Sequence, residues 1–103
     1  MNINIFEMPD LPLPLTKELV TILIENKNIR IERIISAGQV SDWYDQTQTE
    51  FVVLLDGNAV IEFENGRNAA MSKGDALLID PHERHRVSFT SVHPLCVWLC
   101  IFW

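Results

Sequence analysis

Basic residues are scarce in this chain. Eight Lys and Arg stand against 14 Asp and Glu among 103 residues, a net charge of -6 with histidine neutral. The eight are scattered, and a phosphate backbone needs a concentrated positive surface, so no nucleic-acid partner is expected. No glycine-rich loop precedes a helix-forming segment, which removes the usual cradle for nucleotide phosphates. Long apolar runs are missing too: no segment is long enough to span a bilayer, so no membrane partner is expected. Met1-Asn2-Ile3-Asn4-Ile5-Phe6-Glu7 lacks the positive start and apolar stretch of a secretory signal. Cysteine is confined to Cys96 and Cys100. Along one strand, at about 3.3 Å per residue, they stand roughly 13 Å apart, too far to bridge. Two unpaired thiols fit a reducing cytoplasm, and both read as small buried hydrophobes.

What is present is a core. Apolar residues make up 48% and charged residues 21%, the balance of a folded domain rather than of a disordered tail. At this length there is one domain, with residues 1-28 as an arm and short helix packing on a barrel of residues 29-103. Leu11-Pro12-Leu13-Pro14-Leu15 reads as an extended arm, because two prolines fix φ and lack donors. Thr16 can cap a helix from Lys17 to about Glu25, with Leu15, Leu19, Val20, Leu23 and Ile24 on one stripe. From Ile29 the period becomes two. Ile34-Ile35 breaks it, which suggests a bulge near Arg33. Asp56-Gly57 and Asn65-Gly66 read as tight hairpin turns, and Lys73-Gly74-Asp75 and Pro81 as further breaks. The last strand runs from Leu95 to Trp103. Short strands between Gly, Asn and Pro turns predict an all-β sandwich or barrel. The final strand is apolar on both faces, from which a homodimer covering one face is expected.

Gly38, Tyr44, Gln46, Glu50 and Gly57 reproduce the spacing G-x5-H-x-H-x3-E-x6-G, the first motif of the cupin superfamily, with Tyr44 and Gln46 in place of its two histidines. Gly74 and His85 match the second motif, G-x5-P-x-G-x2-H-x3-N. Asp80, His82 and Phe89 occupy its proline, glycine and asparagine positions. The chain therefore resembles a small single-domain cupin, over about Arg30 to Trp103. The resemblance implies a double-stranded β-helix, a jelly-roll-like barrel. It also implies that Glu50 and His85 are surviving ligands of a divalent metal ion, with Gln46 as the third candidate. Independently of the family, residues 44, 46 and 50 share parity, so an extended chain points Tyr44, Gln46 and Glu50 to one face.

The replacements change the chemistry. An amide oxygen is a weaker, harder donor than imidazole, so the site shifts toward oxygen-preferring ions. Tyr44 ligates only as phenolate, and its ordinary pKa is near 10. His82, beside the Pro81 turn, is a pocket candidate that could swing inward. Each residue also has a plainer role: Glu50 paired with Arg or backbone, His85 as a core histidine with both nitrogens satisfied, Tyr44 and Gln46 as a hydrogen-bond network. His93, Asp42, Asp45 and Asp75 read as loop and turn residues, and Trp43, Trp98, Phe102 and Trp103 as packing. Two functions follow from the resemblance. One is a metal-dependent or metal-assisted small-molecule cupin, with Gln46, Glu50 and His85 holding the ion and Glu50 or Tyr44 moving a proton. The other is a non-catalytic binding or structural cupin without tight metal binding. The loss of two imidazoles counts most against oxygen-activating iron chemistry.

Overall fold

The computed structural model describes residues 1-8, 10-12 and 14-103. Among them are eight strands: β1 (Leu19–Glu25), β2 (Arg30–Ser36), β3 (Glu50–Asp56), β4 (Ala59–Phe63), β5 (Asn68–Met71), β6 (Ala76–Ile79), β7 (His85–Thr90) and β8 (Cys96–Phe102). They form a five-stranded sheet in the order β1-β2-β8-β3-β6 and a three-stranded sheet in the order β5-β4-β7, with every pairing antiparallel. The two sheets face each other across one core, in which Leu54, Ile61, Phe63, Ile79 and Cys96 are almost fully enclosed. Enclosing a leucine or phenylalanine side chain of this kind contributes about 1.5–3 kcal/mol. The all-β barrel expected from the turn spacing is present. Among the described residues no helix is long and apolar enough to cross a membrane.

The helix expected from Lys17 to Glu25 is instead strand β1 at the sheet edge, in register with β2 from Leu19↔Ile35 to Glu25↔Arg30. Val20, Thr21, Ile22 and Ile24 are β-branched and suit a pleated surface better than a helix. The bulge lies in β1, between Ile22 and Ile24, and not near Arg33, where β2 pairs with β8 without interruption. The Ile34-Ile35 pair has another cause: both faces of β2 are covered. Ile34 faces the cavity between the sheets, and Ile35 is fully buried on the other side. There the Arg33 guanidinium, itself buried, donates from Nη1 to the carbonyls of Ile5 at 3.1 Å and Glu7 at 2.8 Å. Those bonds hold the N-terminal segment on the outer face. In the proline-rich arm, Leu13 lies outside the described residues, while the Leu15 carbonyl accepts Gln39 Nε2 at 2.8 Å.

Asn65-Gly66 closes the β4–β5 hairpin as expected. Asp56-Gly57 does not make a hairpin. The edges of β3 are taken by β8 and β6, so after Gly57 the chain crosses to the second sheet. Gly57 sits at φ +93°, and a Cβ there would lie 2.7 Å from Cys96 Sγ and 2.8 Å from Cys96 Cα. Only glycine fits this crossing. Strand β8 is central, not solvent-facing: Cys96, Val97, Trp98, Cys100 and Phe102 are all buried within the one chain. The Trp98 indole N–H is satisfied by Ser36 Oγ at 3.0 Å.

Candidate functional site

The segment between β2 and β3 forms an irregular wall along β7. Ser41 N–H donates to the Val87 carbonyl, Tyr44 N–H to His85 and His82 N–H to Gln46, at 2.9, 2.7 and 2.7 Å. These bonds bring the 44–50 stretch opposite His85. Between the sheets lies a cavity of about 390 Å³ whose lining includes Tyr44, Gln46, Glu50 and His85. Four of the five residues singled out from the sequence therefore meet in one pocket. His82 does not. It stands at φ +62° in the turn before β7 with most of its side chain exposed, and its Nδ1 lies 2.7 Å from Asp45 Oδ1 outside the cavity. The turn points it outward, which corrects the expectation that Pro81 swings it in.

Glu50 and His85 are buried at the depth of the cavity. His85 Nδ1 lies 2.8 Å from the Glu83 carbonyl. A carbonyl only accepts, so Nδ1 carries a proton, and in the neutral ring Nε2 presents a lone pair. That lone pair is 3.8 Å from Glu50 Oε1, beyond hydrogen-bond range. Gln46 Nε2 donates to Glu50 Oε1 at 3.2 Å. Burial pushes the Glu50 carboxyl above the usual range, only partly offset by Gln46, His85 and the Cys100 thiol. Tyr44, its ring centroid 5.5 Å from that of His85, is also pushed upward, by burial and then by the nearby Glu18 carboxylate. It holds its proton, so phenolate ligation is disfavoured.

Several pocket residues were not singled out from the sequence as functional. Cys100, read as a small hydrophobe, lines the cavity beside Glu50. Burial and the Glu50 carboxylate hold its thiol well above its ordinary pKa, so it is a weak donor and not a thiolate nucleophile. Glu18 and the Arg30–Glu32 pair, whose Nε–Oε2 distance is 2.9 Å, line the cavity at the β1–β2 end. Their signal was the inward parity of β2, which nothing local assigned. Trp98 and Phe102 supply apolar wall from β8. Trp43 lies outside, its ring under the Arg86 and Arg84 guanidinium groups at 4.8 and 5.7 Å.

The model of the cupin domain family matches residues 32–102. The chain belongs to the cupin family. A solved structure from Ralstonia eutropha JMP134, of a protein provisionally assigned as a mannose-6-phosphate isomerase, is 39% identical and superposes with a TM-score of 0.89, covering 99% of this chain and 96% of that one. A cupin superfamily protein from Desulfitobacterium hafniense DCB-2, 19% identical with a TM-score of 0.74 over 91% of each chain, shares the fold. Among curated proteins, the L-ectoine synthase of Rhodococcus erythropolis is 33% identical over 69 residues, 65% of this chain and 52% of that protein. This cupin thus spans about half the length of the curated relatives it matches.

The cupin family implies a metal, and the donor set bears on it directly. A buried carboxylate and an imidazole nitrogen face the same gap, which no hydrogen bond closes, and both would be available to hold a cation. The Gln46 amide presents its NH2 to Glu50 and would offer an oxygen to an ion only when turned over. Among the described residues no three His, Cys, Asp or Glu side chains converge as a metal-binding group. Such a donor set would suit a weakly held, oxygen-preferring ion better than a tight nitrogen-rich site.

Proposed function

We propose that this cupin binds a small polar molecule in the barrel pocket and holds a divalent ion there on Glu50, His85 and the Gln46 amide oxygen. The observation that carries the reading is the fixed tautomer of His85, which leaves Nε2 facing Glu50 Oε1 at 3.8 Å. When bound, such an ion supplies Lewis-acid polarisation of a ligand carbonyl or hydroxyl. The chain's own groups support acid–base work. Burial raises the Glu50 pKa, so it holds a proton to higher pH than an ordinary carboxylate and can give and take one at the pocket. Without the ion, Gln46 orients Glu50 by the Nε2 donation, and the apolar walls from Trp98 and Phe102 limit water. Two relatives carry enzyme names, a synthase and an isomerase, and acid–base chemistry accords with both. The free, buried Cys96 and Cys100 support a reducing, cytoplasmic setting.

A second reading, a non-catalytic binding cupin, is favoured by the lack of a third ionisable donor among the described residues. Elemental analysis of protein purified without an affinity tag separates the two. One metal per chain is expected in the parent, and loss of it in Glu50→Ala and His85→Ala. A parent protein without stoichiometric metal sinks the metal reading and leaves the binding one.

We also propose a homodimer. Strand β1 is a sheet edge, and its Val20, Ile22 and Ile24 are 47%, 53% and 40% exposed. A free strand edge carrying exposed β-branched side chains is a template for a second copy.

A further inference from the structure

We infer that the pocket selects a small molecule bearing a cationic nitrogen, a primary amine or similar group, bound at the Glu18–Glu32 end. The inference rests on the reading of the cavity as a ligand site and names the class of ligand it takes.

Three carboxylates line the cavity, Glu18, Glu32 and Glu50, against one guanidinium, Arg30. Arg30 is already engaged: its Nε donates to Glu32 Oε2 at 2.9 Å, and its guanidinium carbon lies 4.4 Å above the Phe102 ring. Among the described residues no other Lys or Arg lines the cavity. The charge sits in a walled space of about 390 Å³, where a low-dielectric lining focuses the field. A phosphate or carboxylate entering here meets like charge with no free cation to receive it. An ammonium meets carboxylates at one end and the aromatic side chains Trp98 and Tyr44 along the wall.

A second feature supports the cavity as a ligand site. The His85 side chain is only 5% exposed, and among the described residues its Nε2 makes no hydrogen bond although it is aimed into the cavity. A ring nitrogen that faces the cavity without a partner from the chain is open to one from outside it, and the part of the ligand that reaches beyond the amine supplies it. Glu18 and Tyr44 are exposed while Glu50 and His85 are buried. The amine therefore enters past Glu18 and leaves the Glu50–His85 end for the rest of the ligand or for a metal ion.

The test is isothermal titration of the whole protein with four probes of similar size: n-butylamine, 1,4-diaminobutane, n-butanol and butyrate. Mannose 6-phosphate is a fifth. The amines are expected to bind about tenfold more tightly than the alcohol, and the two anions not at all. Glu18→Gln is expected to remove most of the amine preference, and Glu18→Lys all of it. Glu18 is exposed, so neither variant threatens the fold. Anion binding as tight as amine binding overturns the inference, as does amine binding that the Glu18 variants leave unchanged.

Titrating both chelator-treated protein and protein loaded with Mn2+ keeps the two proposals apart. Amine preference without stoichiometric metal supports this inference and overturns the metal reading. Metal binding without amine preference does the reverse.

Discussion

Tyr44 and His85 exchange backbone hydrogen bonds in both directions, the Tyr44 N–H to the His85 carbonyl at 2.7 Å and the His85 N–H to the Tyr44 carbonyl at 3.2 Å. The link joins the first motif segment to the second at the pocket rim. It is made by main chain, so it survives side-chain replacement at positions 44 and 46. This is the physical reason that a cupin barrel persists after two motif histidines are gone.

The same link makes Gln46 a site where metal affinity can be restored without refolding the wall. Gln46→His places a second imidazole within reach of Glu50, whose carboxylate already accepts from position 46 at 3.2 Å. Imidazole is a better donor than an amide oxygen for Zn2+. Zinc affinity measured by competition with a chromophoric chelator is expected to rise about tenfold or more, with the melting temperature of the metal-free protein little changed. An unchanged affinity would mean that position 46 does not reach the ion.

Glu50 sets a pH dependence of stability whose sign is fixed by its raised pKa. The folded carboxyl holds its proton to higher pH than the unfolded one, because burial disfavours the charge. Between the ordinary carboxylate pKa and the folded one, the native state binds more protons, so this group's contribution falls as pH rises through that window. Glu50→Gln removes the charge and keeps the shape. In the presence of chelator it is expected to stabilise the protein at pH 7.5 and to do nearly nothing at pH 4. Chemical denaturation at the two pH values checks this. Equal effects at both would remove the ionisation argument.

The barrel was legible because its signals are local: glycines at fixed spacing, the Asn65-Gly66 turn, and the parity that sends Tyr44, Gln46 and Glu50 inward. Strand β1 was not, because Leu15, Leu19, Val20, Leu23 and Ile24 fit a helical stripe as well as residues 19 to 24 fit a strand. Pairing with β2 decides between them, and that pairing is not local. Asp56-Gly57 misled for a similar reason. Its dipeptide is that of a hairpin, but β8 and β6 compete for the edges of β3 and win. The acidic end of the pocket stayed hidden until the β2–β8 register placed Glu32 opposite Cys100 and Arg30 opposite Phe102.

Gly57 and Gly66 separate two costs that a glycine substitution combines. Both have positive φ, +93° and +89°, but a Cβ at Gly57 meets Cys96 and the Leu95 carbonyl, while at Gly66 nothing lies within 4 Å. Gly66→Ala is expected to cost about 1 kcal/mol from the left-handed backbone alone. Gly57→Ala adds a backbone clash at 2.9 Å or less, and a total of about 3 kcal/mol or more is expected. Urea denaturation of the two variants checks the difference. Equal losses would show that the crossing at Gly57 relaxes.

The proposed dimer now rests on a different strand from the one that first suggested it. Apolar faces on β8 pointed to a partner, but both neighbours of β8 and most of its side chains are supplied by the same chain. Strand β1 is an open edge of the larger sheet: one side pairs with β2, and Val20 and Ile22, at 47% and 53% exposure, are left uncovered. A second copy joined at β1 extends the five-stranded sheet and covers these side chains, removing two liabilities of an exposed edge at once. Sedimentation velocity at micromolar concentration is expected to show a species of twice the 11.9 kDa chain mass. Ile22→Glu introduces a charge that the joined edge would bury, and is expected to shift the protein to monomer without unfolding it. A parent protein that sediments only as monomer contradicts the proposal, and a dimer that Ile22→Glu leaves intact places the interface elsewhere.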